Sequence, residues 1–320
     1  PGFRRLTKEQ FMRSLADVHG PVWQAACAKY NASGCGWPRD AEAWYKLISE
    51  YGGTWNDFRN AYPNDVHTAA PGEPRGGYKR LDSVVHNEHV TSWVTATMII
   101  ADNNYEGWVG AVIVFKACTN DGLTDEQCID QFITDFGKRA FRRPLTEVEH
   151  ALFTSVYVDA EEEYKDVVFT HWGGKGWKAR GLRDVIAAIT LSPQFLYQVE
   201  LGDENGKLTA WELASRLSYH FWNTMPDDEL FAVAADGSLL TEEGYKIQVE
   251  RLAGDPKAER AIDEFYRDFF RVQDITNPAS QDGPQRYHNF PKNHYKDAGA
   301  PPLPAMQDEL TNLGMWFTAT

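Results

Sequence analysis

The sequence predicts a mainly α, multi-helical fold of orthogonally packed helices with little or no sheet. Two observations carry that expectation. The pattern L-T-x-x-[EQ] occurs four times, as Leu6-Thr7 with Gln10, Leu123-Thr124 with Gln127, Leu145-Thr146 with Glu149 and Leu208-Thr209 with Glu212. In each, the Thr hydroxyl can accept from the third helical amide while the Gln or Glu reaches back to the cap amide, so four helices announce their own starts. Apolar residues also recur at helical spacing, as in Phe132, Ile133, Phe136 and Ala140, and no βαβ rhythm appears.

Helices are expected near residues 7–18, 21–31, 39–50, 83–101, 124–142, 147–163, 179–191, 209–222, 227–235, 241–253, 257–270 and 303–318. Leu6 opposite Phe11 and Leu208 opposite Leu213 sit at staple positions that set how the chain enters the helix. The stretches from Gly52 to Gly77 and from Asn277 to Pro304 are rich in Gly, Pro and Asn with scattered Tyr and Phe, and read as long surface segments. Ala111 to Phe115 is a short strand candidate. Divisions near 120 and 202 separate an N-terminal module (1–120), a central module (121–201) and a C-terminal module (202–320).

The stretch from 136 to 149, FGKRAFRRPLTEVE, concentrates basic charge in an acidic chain. Pro144 disfavours helical geometry at Arg143, so a helix ends near Arg142, where Arg139, Arg142 and Arg143 complement the negative end of the helix dipole. Thr146 and Glu149 then start the next helix at Glu147. At least Arg139 or Arg142 is expected in internal hydrogen bonds to carboxylates or helix-end carbonyls, because the planar guanidinium satisfies several acceptors at once. Glu147, Glu149 and Glu200 are the nearby acids. Further on, Leu213, Leu217 and Phe221 form the expected apolar face of one helix, with Glu212 and Arg216 as an i,i+4 pair. Pro226 suits a first helical position, and Asp227, Asp228 and Glu229 complement the positive end of that helix. The acidic run from Asp159 to Glu163 reads as a solvated face.

Composition excludes several classes of function. With 320 residues, 42% of them hydrophobic, the chain can bury a large core. Its 32 Lys and Arg against 46 Asp and Glu leave a formal charge of −14, which opposes binding to nucleic acid or anionic lipid. No apolar run approaches the roughly 20 residues a membrane span needs. The four cysteines form two close pairs without metal-ligand spacing, so disulfides Cys27–Cys35 and Cys118–Cys128 and an extracytoplasmic location are expected. The chain opens on PGFRRLTKEQF, so a signal peptide would already have been removed or would lie upstream.

No G-x-S-x-G elbow, phosphate loop or dinucleotide fingerprint occurs. Asp82, His86 and His89 lie at i, i+4 and i+7, one helical stripe that a first-row metal could use, against the simpler reading of an exposed polar face. His220 falls towards the expected apolar face and reads as a buried core histidine, with a ligand role as the alternative. His288 and His294 flank Phe290-Pro291 in a segment that could cover a site or form a protein contact.

Four blocks occur in one order: RRLTKEQF at the start, RAFRRPLT, LSPQFLYQVE, and ELASRLSY followed by FW and MPDDEL. Together they resemble a family of large secreted proteins of planctomycetes and myxobacteria, assembled from serial modules of unknown function and associated with cytochrome c domains. The likeness covers most of residues 3–275. It implies an extracytoplasmic, redox-associated helical module of unknown substrate, whose partner is another protein or a further C-terminal module carrying a c-type haem. This chain has no CxxCH, so no cofactor is expected within it, and the C-terminal module would be truncated before that haem module. Two alternatives stand beside this reading: a non-catalytic structural or interaction module of a secreted assembly, and a secreted hydrolase with an unrecognised site. No catalytic residue carries over from the family.

Overall fold

Thr7, Thr124, Thr146 and Thr209 each begin a helix in the computed structural model, which describes residues 2–30, 45–46, 62–63, 85–102, 122–166, 176–270, 272 and 303–319. Each capping box closes in both directions. At Thr209, for example, Oγ1 accepts from the Glu212 amide at 3.2 Å while the Thr209 amide donates to Glu212 Oε2 at 2.8 Å. The same exchange joins Thr7 to Gln10, Thr124 to Gln127 and Thr146 to Glu149. Leu6 and Phe11, the first staple, are fully buried. Thr209→Ala should therefore cost about 0.5–2 kcal/mol in chemical denaturation. A change within error would show that the cap does not hold the helix start.

The elements run β1 (Gly2–Arg5), α1 (Lys8–Tyr30), α2 (Asn87–Ile100), α3 (Asp125–Phe141), α4 (Glu147–Tyr164), α5 (Gly176–Thr190), α6 (Pro193–Leu196) and β2 (Tyr197–Glu200). After β2 come α7 (Ala210–Phe221), α8 (Asp228–Ala235), a 3₁₀ turn (Ser238–Leu240), α9 (Glu242–Ala253), α10 (Pro256–Phe269) and α11 (Leu303–Ala319). The fold is mainly α, and the sheet among the described residues is one antiparallel pair, from Gly2 opposite Glu200 to Arg5 opposite Tyr197.

Three local expectations change. The helices expected at 7–18 and 21–31 are one helix, α1, which continues through Pro21. Pro21 removes a backbone hydrogen bond, yet Val18 is buried before it and Val22 packs against the core after it, so tertiary contact holds both sides in one helix. The two strands were not foreseen, because four residues carry little alternation and β1 pairs with a segment almost 200 residues away. Pro226 also precedes the helix it was expected to open: Asp227 is the N-cap of α8, accepting from the Leu230 amide at 2.9 Å. The strand candidate Ala111 to Phe115 lies outside the described residues, as does most of the helix expected at 39–50, of which Tyr45 and Lys46 are helical.

The chain divides into two compact units, Pro1–Asp65 with Ser83–Val249, and Val66–Asp82 with Glu250–Thr320. Both divisions expected from sequence, near 120 and 202, fall inside the first unit. Its core joins Phe11, Leu15 and Val18 of α1 to Ile133, Phe136 and Ala140 of α3, and to Leu182, Val185, Ile186 and Ile189 of α5. The helices α4 and α5 pack closely because Gly181 faces the Tyr157 ring, where an added Cβ would meet a ring carbon at 2.9 Å.

In the second unit α10 packs on α11, tied by Arg267, which pairs with Asp263 at 2.7 Å and with Asp308 at 2.6 Å. Gly314 lies against the Tyr266 ring so closely that a Cβ there would meet it at 2.5 Å. Gly314→Val should separate the two helices, an overpacking effect of about 1–3 kcal/mol. Amide exchange should accelerate in α10 and α11 while α3 keeps its protection. Unchanged exchange in both helices would contradict this packing.

Candidate functional site

The basic stretch around Arg142 is the first place to look for a site, and its central guanidinium, that of Arg142, is turned inward. The helix α3 ends at Phe141, and Arg142 takes the left-handed cap conformation at φ 59°. That geometry is uncommon for a residue with a side chain, and here it swings a 4%-exposed arginine beneath the chain that follows α5. Arg142 Nη1 donates to the Tyr219 hydroxyl at 2.8 Å. Nη2 donates to the carbonyl oxygens of Gln194 (2.5 Å), Phe195 (3.2 Å) and Tyr197 (2.7 Å), the unpaired acceptors where α6 passes into β2. The Tyr219 hydroxyl also shares a 2.7 Å hydrogen bond with Ser14 of α1. One side chain thus ties α1, α3, α6, β2 and α7 together, through carbonyls and a phenol and not through a carboxylate.

Its neighbours are likewise engaged. Arg139 pairs with Asp228 at 2.5 Å, and Arg143 grips both oxygens of Glu149 at 2.9 and 2.8 Å. The Arg143 hydrogen bond is the main reason that the Glu149 carboxyl is held down to about 2. Glu200 is the partner of Arg216, which replaces the expected Glu212–Arg216 pair. Glu212 instead accepts from the amides of Leu201 (2.6 Å), Gly202 (3.0 Å) and Thr209 (2.8 Å), because the turn after β2 folds back and offers it three donors. Burial opposes its charge, yet these amides keep the carboxyl below its usual range.

The histidines part company. His220 is exposed, not buried as expected, with its ring edge-on to Phe221 at 4.8 Å. The helix α7 is buried along Ala210, Ala214, Leu217 and Ser218 on one side and at Tyr219 on another, which leaves position 220 facing out. His86 and His89 do share the start of α2, where His89 Nδ1 accepts from the His86 amide at 3.2 Å. His89 is buried, its ring edge-on to Tyr62 at 5.7 Å, while Asp82 lies outside the described residues, so the stripe is not assembled among them. Among the described residues no group of three or more His, Cys, Asp or Glu is placed to hold a metal. His288 and His294 lie outside the described residues. Sequence reasoning missed His19, fully buried against Phe136 at 5.2 Å, where burial lowers its pKa to about 3. Cys128 is buried in the first turn of α3 and no described cysteine is free, while Cys118, Cys35 and the Cys27 side chain lie outside the described residues.

An open site does exist elsewhere in the first unit. A cleft of about 780 Å³ lies between the start of α3, the middle of α4 and the start of α5. Its described lining includes Asp125, Glu126, Asp130, Tyr157, Glu161, Trp177 and Lys178. Tyr157 and Trp177 form an aromatic corner, ring centroids 5.5 Å apart and 52° between planes. The Lys178 ammonium lies 5.6 Å from the Trp177 ring centre and pairs with Asp125. Asp130 meets His150 at 3.3 Å. Burial raises the Tyr157 hydroxyl above its usual range, and the charges of Glu161 and Glu126 push it further. The run from Asp159 to Glu163, read from sequence as a solvated face, therefore supplies one wall of a cleft through Glu161. No periodicity in the sequence sets that wall opposite the first turn of α3 or beside Trp177.

Residues 128–200 match the PSD5 family model, a protein of unknown function (DUF1595), and residues 208–313 match the PSD4 family model, a protein of unknown function (DUF1592). Both are domains of unknown function found in planctomycete-type, cytochrome c-associated proteins. The Arg142 network joins the two matched segments, since Arg142 and its carbonyl acceptors lie in one and Tyr219 in the other. No curated protein and no solved structure matches the chain.

Proposed function

We propose that the chain is a helical scaffold and interaction module of an extracytoplasmic protein linked to a c-type cytochrome, with the haem carried on another module or partner and not on these residues. The observation that supports this reading most is the convergence of the distinctive blocks RAFRRPLT, LSPQFLYQVE and ELASRLSY on the single buried side chain of Arg142. Those blocks act on one another: Arg142, its carbonyl acceptors and Tyr219 join helices, as expected of a module whose task is shape and attachment. The proposed bridges Cys27–Cys35 and Cys118–Cys128 belong to the same reading, since close cysteine pairs are stable in an oxidising compartment.

Two measurements test it. A pyridine haemochrome spectrum of the protein isolated from its source, with whatever co-purifies, should show covalently bound c-type haem. Its absence from both the polypeptide and its partners would remove the cytochrome link. Alkylation mapping of the unreduced protein should find no modified thiol, and four modified cysteines would overturn both the bridges and the export.

A further inference from the structure

The cleft bounded by α3, α4 and α5 has an imbalance that the scaffold role leaves unexplained. Among the described lining residues four carboxylates, Asp125, Glu126, Asp130 and Glu161, stand against one ammonium, Lys178. Asp125 is neutralised by Lys178 and Asp130 lies against His150. Glu126 and Glu161 make no ion pair or hydrogen bond among the described residues, and both act on the buried Tyr157 at the aromatic corner. Like charges held beside an apolar floor repel each other, and the repulsion is relieved by a cation that enters between them.

We propose that this cleft binds a lysine or arginine side chain presented by an extended basic segment of a partner protein. Its volume of about 780 Å³ is that of a small-molecule or peptide pocket, far more than a bare ion fills. The chain already displays the chemistry once: Lys178 rests on the Trp177 ring and against a carboxylate, the arrangement that holds a partly desolvated ammonium. A second cation entering the cleft would meet Glu126 and Glu161. A neutral sugar stacked on Trp177 would leave those two charges uncompensated while stripping water from them, and an anion would be repelled.

The proposal rests on the interaction-module reading only in taking the ligand to be part of a protein. Its failure would leave the haem and alkylation results untouched. Calorimetric titration of the chain with acetyl-trilysine amide at low ionic strength should show saturable binding that weakens as salt is added. Glu126→Gln with Glu161→Gln should raise the Kd about ten-fold, the scale of one lost charge-assisted contact, with an unchanged melting temperature. Glu242→Gln with Glu243→Gln, which removes the same charge from the exposed start of α9, should leave the Kd unchanged. A peptide with all three lysines acetylated, and cellotetraose as a neutral sugar, should not bind. Equal weakening by both pairs of substitutions, no saturation, or binding of cellotetraose or the acetylated peptide as tight as that of trilysine would each overturn the proposal.

Discussion

Arg142→Ala is expected to destabilise the first unit by about 3–5 kcal/mol, the loss typical of removing one side of a buried charged network. The substitution leaves the carbonyls of Gln194, Phe195 and Tyr197 and the Tyr219 hydroxyl without the donor that now serves all four. Two further variants separate the contributions. Arg142→Gly relieves the left-handed backbone at φ 59° but loses the same donors, so it should recover about 1 kcal/mol at most relative to Ala. Arg142→Lys keeps the charge, but one ammonium cannot span three carbonyls and a phenol, so it should remain well below the wild type. Tyr219→Phe removes a single partner, and about 1–2 kcal/mol is expected. Urea unfolding followed by fluorescence measures each of these. A cost below about 1 kcal/mol for Arg142→Ala would place the arginine outside the framework and reopen the basic patch as a binding site.

Acidification should weaken the fold well before most carboxylates protonate, and His19 is the reason. Its pKa falls from 6.5 to about 3 because a fully buried imidazole has no solvent to support a charge. Between those values the unfolded chain binds a proton that the folded chain refuses. Stability is therefore fully present above pH 6.5 and declines as pH drops towards 3. The whole shift corresponds to a loss on the order of 5 kcal/mol. Glu149 adds a second, later loss, since its carboxyl is held down to about 2 and its contribution fades as pH falls below 4.5. Melting temperature between pH 7 and 4.5 thus includes the full onset of the His19 contribution. His19→Gln should flatten that part of the curve, whatever it does to stability at pH 7, and keep the descent below 4.5. An identical slope in the variant would mean that His19 does not govern the acid response.

The local part of this architecture was open to reading from sequence. A capping box is a contract between residues three apart, so Thr7, Thr124, Thr146 and Thr209 mark their helices wherever those helices pack. Pro144 and the arginines before it likewise mark the end of α3 from neighbouring residues alone. Fold class follows from such signals, because it depends on helix starts, helix stops and the spacing between apolar residues. Tertiary structure decided what those signals do not reach. The acceptors of Arg142 lie 52 to 77 residues further along the chain, and β1 meets β2 across nearly the whole first unit. The faces of α7 had to be known before His220 could be placed at the surface and Tyr219 inside. Burial on both sides carried α1 through Pro21, overruling a local cost. The cleft belongs to this second category as well. Glu126, Glu161 and Trp177 each read as ordinary surface or core residues in their own helices, and their common chemistry arises only where three helices bring them together. Interactions within one helical turn are written in the order of residues, whereas a site assembled between helices depends on packing that sums the whole core.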